Sequence, residues 1–90
     1  MGIGDVAAQT EQVLKNIEAT LAAAGARLEH VVKWTVYVVH GHSARAGFEV
    51  FMRYGGKRGK PPALTVVFVA ALADPNFLVE IEAIAVVPEP

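Results

Sequence analysis

Glu80 and Glu82 stand two residues apart inside an aliphatic run, Val79-Glu80-Ile81-Glu82-Ala83-Ile84-Ala85-Val86, and are the side chains in this sequence best placed to do chemistry. In an extended segment, residues two apart share a face. Phe77, Val79, Ile81, Ala83, Ala85 and Val87 then make an apolar face, and Leu78, Glu80, Glu82, Ile84 and Val86 make the other. A carboxylate beside an apolar wall has its pKa raised by desolvation, and a second carboxylate adds to the effect. A carboxyl poised near neutrality in this way can act as a general acid or base. The competing interpretation is two ordinary strand glutamates, solvated or paired with Lys33, Arg53 or Arg27.

The other reactive side chains point to less. His40 and His42 flank a glycine on a turn, but no Asp, Glu or Cys beside them completes a ligand set, so no metal is expected. The chain has no cysteine, which excludes thiolate zinc, a thiol nucleophile and disulfides. Arg53, Lys57, Arg58 and Lys60, with Tyr54, form a local basic patch. A net charge of −1 gives no electrostatic footprint for nucleic acid. Gly55-Gly56-Lys57 lacks the spacing of a phosphate-binding loop, and no ordering of Ser, His and Asp suggests a triad.

Positioning these residues falls to a single domain spanning all 90 residues, 1–90. Hydrophobic residues make up 53% of the chain and charged residues 19%, against about 25% charged in ordinary domains. A chain this short buries a modest share of its surface alone, so part of the apolar excess is expected in a subunit interface. Asp5 is a fitting N-cap for a helix running to about Ala24, with Val13, Ile17, Leu21 and Ala24 as its apolar stripe and Leu14 and Ala7 beside it. Glu11 and Lys15 are spaced for an i,i+4 ion pair, and Gly25 for a C-terminal stop. Val31–Val39 is β-branched and aromatic and reads as a strand, with Val32, Trp34, Val36 and Val38 on its apolar side. Ser43 caps a second helix, Ala44–Tyr54, whose apolar stripe is Ala44, Phe48, Phe51 and Met52. Gly47 within it either weakens the helix or permits a close helix–strand approach.

Residues 55–62 read as a basic loop. Leu64–Leu72 is a second strand, Ala73-Asp74-Pro75-Asn76 a turn, and Phe77–Val87 a third strand, forming an antiparallel hairpin. The strand–helix–strand step from Val39 to Leu64 is long enough for a right-handed crossover that makes those two strands parallel. The element order is α-β-α-β-β. The longest apolar run, Ala63–Ala73, is too short to span a bilayer, and no signal-peptide pattern precedes Asp5. A cytoplasmic protein without a membrane partner is expected.

Several stretches, in order, resemble the RidA/YjgF family of reactive-intermediate deaminases: Gly4-Asp5-Val6, Gln9-Thr10-Glu11-Gln12-Val13-Leu14-Lys15-Asn16-Ile17, Ala23-Ala24-Gly25-Ala26, Val31–Tyr37, Pro62-Ala63 and Val79–Val86. The resemblance implies an α+β, chorismate-mutase-like subunit with two helices on one face of a small mixed sheet. It implies a homotrimer with ligand clefts between subunits, and hydrolysis of enamine or imine intermediates such as 2-aminoacrylate without metal or organic cofactor. Glu80 matches the family's water-positioning glutamate.

Two departures accompany it. The family's N-terminal strands have no counterpart, since the match starts at the first helix. Leu64, after Pro62-Ala63, stands where the family carries its carboxylate-binding arginine, and with Val66 and Phe68 makes an apolar ligand-binding wall. A leucine cannot form the paired hydrogen bonds by which an arginine holds a carboxylate. A non-catalytic homo-oligomer binding a small apolar metabolite is therefore the alternative function. An RNA-interacting, endoribonuclease-like role is the third, resting on the residues from Arg53 to Lys60.

Overall fold

The computed structural model describes residues 5–55 and 62–88. Local rules set both ends of the first helix, α1 (Val6–Ala23). The Asp5 carboxylate accepts from the Ala8 amide at 3.0 Å. At the other end Gly25 adopts φ 82°, a left-handed conformation a side chain disfavours. Its amide donates to Ala22 O at 3.1 Å and that of Ala26 to Leu21 O at 2.8 Å, the paired bonds that satisfy a helix's last carbonyls. Lys15 and Glu11 form the anticipated ion pair at 3.4 Å.

A short 3-10 turn, Leu28–His30, leads into β1 (Val31–Val39), followed by α2 (Ala44–Gly55), β2 (Ala63–Val69) and β3 (Val79–Ala85). Strand order is β2-β1-β3. β1 pairs parallel with β2, as the crossover predicts, and antiparallel with β3. The fold is thus α+β, two helices on a small mixed sheet in the order α-β-α-β-β.

The anticipated hairpin is not formed. β2 and β3 are separated by β1, the strand best able to be buried on one face and paired on both edges. β2 ends at Val69 rather than Leu72, and β3 starts at Val79 rather than Phe77. Residues 70–78 carry the chain past the end of β1, where His40 N donates to Val69 O at 2.7 Å and Val39 N to Leu78 O at 2.9 Å. Leu78, which strict alternation places with the glutamates, is buried, because it precedes the regular strand.

Each apolar stripe is offset from its periodic expectation. In β1 the pairing with β3 shifts between Val31 and Lys33. That bulge turns Val31 into the core and leaves Val32 exposed. In α1 the buried residues are Val6, Gln9, Thr10 and Leu14, while Val13, Ile17 and Leu21 pack at the margin and Ala24 is exposed. In α2 the buried residue is Val50; Phe51 packs its ring edge-on to Trp34, with centroids 5.0 Å apart, and Phe48 and Met52 are exposed. The core is Trp34 and Val38 of β1, Val79 and Ile81 of β3, and Leu14, Leu28 and Val50 above them. Trp34 Nε1 is buried with no hydrogen-bond partner among the described residues.

The close approach at Gly47 is helix to helix. A Cβ there would lie 2.9 Å from Thr10 Oγ1 and 3.3 Å from Val6 Cγ1. Thr10 cannot swing aside freely, because its hydroxyl donates to Val6 O at 2.7 Å. Gly47→Ala therefore lowers stability by about 1–2 kcal/mol, overpacking outweighing the roughly 1 kcal/mol of helix propensity gained. Urea denaturation measures it, and a stabilised variant would show that α1 and α2 part without cost.

Candidate functional site

The helix-free face of the sheet gathers the polar side chains. Register sets Tyr37 of β1 opposite Glu80 of β3, Thr35 opposite Glu82, and Lys33 opposite Ile84. The Tyr37 hydroxyl reaches diagonally and donates to Glu82 Oε1 at 3.1 Å, and Lys33 Nζ donates to Thr35 Oγ1 at 3.1 Å. Diagonal pairs of this kind are within reach of a tyrosine. The cations considered as partners for the glutamates are engaged elsewhere or stand apart. Lys33 is on Thr35, Arg27 Nε lies 3.9 Å from Glu29, and Arg53 is in the last turn of α2. Among the described residues no Lys or Arg forms an ion pair with Glu80 or Glu82. Glu82 is thus held and Glu80 projects into solvent.

The Glu82 hydrogen bond, then desolvation and the Glu82 and Glu80 charges, raise the Tyr37 pKa above its ordinary 10.0. A raised pKa means the pair's contribution is complete below pH 10.0 and is lost as pH rises through the folded-state value. Ultraviolet titration of wild type minus Tyr37→Phe should therefore show Tyr37 forming phenolate later than a free tyrosine. Glu82→Gln should return it toward 10.0, and an unshifted wild-type titration would disprove the pairing.

The opposite face carries the apolar wall. Leu64 pairs with Trp34, Val66 with Val36 and Phe68 with Val38, so all three look toward the helices. Helices cover β1 and β3 but leave β2 exposed over nearly its whole length. Leu64 and Val66 border a cleft of about 540 Å³ between α2 and the sheet, shared with Phe48 and Phe51, while Phe68 is outside its lining. Arg45 and Glu49 of α2 also border it.

The family resemblance implies one cleft for Glu80 and the Leu64/Val66/Phe68 wall. Within a protomer they are on opposite faces of the sheet, so only a second protomer can bring them together. Arg45, Glu49 and Tyr37 escaped the sequence reading. Tyr37 was legible as the residue alternating with Lys33 and Thr35; Arg45 and Glu49 were hidden because the buried side of α2 was misplaced. His40 and His42 are exposed, and no group of three metal-ligating side chains occurs among the described residues. Lys57, Arg58 and Lys60 of the basic patch lie outside the described residues. Among those described, no helix is long and apolar enough to cross a membrane.

Comparison with known proteins agrees with this architecture. The family model Endoribonuclease L-PSP matches residues 1–87. Protein DfrA of Myxococcus xanthus is 46% identical over 84 residues, covering 92% of this chain and 61% of its own. A solved member of the YjgF/YER057c/UK114 family from Mycobacterium tuberculosis superposes with a TM-score of 0.84 at 42% identity, over 92% of this chain and 68% of that one. E. coli TdcF with bound serine gives 0.82 at 31% identity, over 91% and 65%. The chain spans 61% and 63% of the length of two curated relatives it matches. With helices, mixed sheet and motif order all shared, the chain belongs to the RidA/YjgF family, the family described as Endoribonuclease L-PSP.

Proposed function

We propose that this chain works as a RidA-type hydrolase of enamine and imine intermediates, assembled as a cytoplasmic homotrimer with its reaction cleft between subunits. The observation that carries the reading is Glu80, an exposed carboxylate with no ion-pair partner among the described residues, beside a Tyr37–Glu82 pair on the one sheet face no helix covers. The enamine first tautomerises to the imine. Glu80 takes a proton from water as the oxygen attacks the C=N carbon and returns it to nitrogen, giving the carbinolamine; it then carries the hydroxyl proton to nitrogen as the C–N bond breaks, releasing ammonia and leaving the keto acid. Neither a metal nor an organic cofactor is required to balance this step.

Self-association is supported by β2, a sheet edge exposed on both faces with Val66, Val67 and Phe68 uncovered. Such an edge is a template for pairing, and the apolar side chains on it favour a protein contact. The test is release of ammonia and keto acid by the pure protein from freshly generated 2-aminoacrylate and from imines of bulkier apolar amino acids. No rate above buffer on any of them refutes the reading. Leu64 predicts a preference for the bulkier substrates, because it offers no donor to a carboxylate. Leu64→Arg, at a side chain 41% exposed, should raise kcat/KM for 2-aminoacrylate by about tenfold or more. An unchanged value would mean that this position does not face the substrate.

The cleft supports a second reading, binding of a small apolar metabolite at Leu64 and Val66. Its volume of about 540 Å³ falls in the range of roughly 300–1,000 Å³ usual for small-molecule sites.

A further inference from the structure

A water-activating carboxylate on an open sheet face needs something beside it to hold the substrate. Leu64 cannot do this within the protomer, because it looks to the face opposite Glu80. Lys33 is the single Lys or Arg on the three strands. It alternates with buried Trp34, and so shares the helix-free face with Thr35, Tyr37, Glu80 and Glu82.

The Lys33 side chain is half-buried and lies along β1 toward the Glu80 end, with Nζ donating to Thr35 Oγ1 at 3.1 Å. An ammonium has three protons to give, and this is the one bond it makes among the described residues. Two carboxylates stand on the same face, yet neither forms an ion pair with it among the described residues. Glu82, opposite Thr35, is turned to the Tyr37 hydroxyl instead. Glu80 is the diagonal neighbour of Thr35, a separation of about 7–8 Å across a strand pair. An ammonium held at Thr35 and a base at Glu80 therefore leave a gap that suits a short molecule, with an anionic group at one end and a reacting carbon next to it. In an α-imino acid the carboxylate is one bond from the C=N carbon. Two glutamates alone would repel such an anion, and Lys33 is the cation that offsets them.

We propose that Lys33, steadied by Thr35, binds the substrate's carboxylate and makes the site at Glu80 selective for anionic imines over neutral ones. This rests on hydrolysis at Glu80. Bulkier imino acids carry the same carboxylate, so Lys33 serves them alike.

Steady-state hydrolysis by the full chain of freshly generated 2-aminoacrylate and of its neutral amide, 2-aminoacrylamide, tests it. Wild type should favour the acid. Lys33→Met should lower kcat/KM for the acid by about tenfold to a hundredfold, chiefly through KM, and leave the amide unchanged. Lys33→Arg, which keeps the charge, should restore most of the preference. Thr35→Val, which keeps the charge but removes its hydrogen-bond partner, should raise KM for the acid alone by about threefold. Circular dichroism checks that the variants fold. A wild type without preference for the acid overturns the proposal and leaves hydrolysis at Glu80 standing. So does Lys33→Met if it lowers both substrates equally or moves neither. No hydrolysis of either substrate by wild type overturns both.

Discussion

Replacing Gln9 with alanine is expected to lower the unfolding free energy by about 2–4 kcal/mol. Gln9 is 1% exposed and uses both ends of its amide. Its Nε2 donates to Asn76 O at 2.9 Å, and its Oε1 accepts from the Leu78 amide at 2.8 Å. These bonds tie α1 to residues 70–78, the segment that carries the chain from β2 past β1 to β3. Alanine would leave a buried N–H and a carbonyl without partners, and an unsatisfied buried group costs about 1–3 kcal/mol. Gln9→Glu separates the hydrogen-bond requirement from packing. An ionised carboxylate can accept from Leu78 but cannot donate to Asn76, so the folded state favours the protonated acid and raises its pKa. The variant should therefore be most stable below the unfolded glutamate value of about 4.3 and lose stability as pH rises through the raised folded-state value. Urea denaturation curves at several pH values measure both effects. A loss under about 1 kcal/mol for Gln9→Ala, with unchanged m-value, would mean that water substitutes for the amide.

Gln9 also marks where sequence reasoning stops. Composition and periodicity placed all five principal elements, and β1 was read to the residue, because capping, turn chemistry and β-branched runs are local. Which strands become neighbours is decided by long-range competition. A turn signal at Ala73-Asp74-Pro75-Asn76 favoured a hairpin, yet β1, with Trp34 and Val38 buried beneath the helices, took both partners. The buried amide of Gln9 serves that crossing, and no periodic pattern shows a polar residue in a core. Val31 was misassigned for a related reason, since a bulge of one residue reverses face assignments on one side of it. At the candidate site the carboxylates were legible as charges in an apolar strand. Their separation from Leu64, Val66 and Phe68 by the thickness of the sheet was not, because it depends on the register of two different strands against β1.

That separation shapes the expected result with the largest functional effect. Glu80→Gln should reduce imine hydrolysis by about 10²–10⁴-fold, while changing stability by no more than about 0.5 kcal/mol, as for an exposed side chain outside any packing contact. Glu82→Gln should cost less activity, because Glu82 is held by Tyr37 and is engaged rather than free. Tyr37→Phe then becomes informative. It releases Glu82 from its only described hydrogen bond and leaves two exposed glutamate side chains on adjacent same-face positions. Tyr37→Phe should therefore change the rate of the wild type but not that of Glu82→Gln, as expected of a tyrosine that acts by holding Glu82. A merely structural tyrosine would lower the rate equally in both backgrounds. If Glu80→Gln retains wild-type ammonia release, the water-orienting group is not on the helix-free face, and the reaction must be sought elsewhere on the protomer.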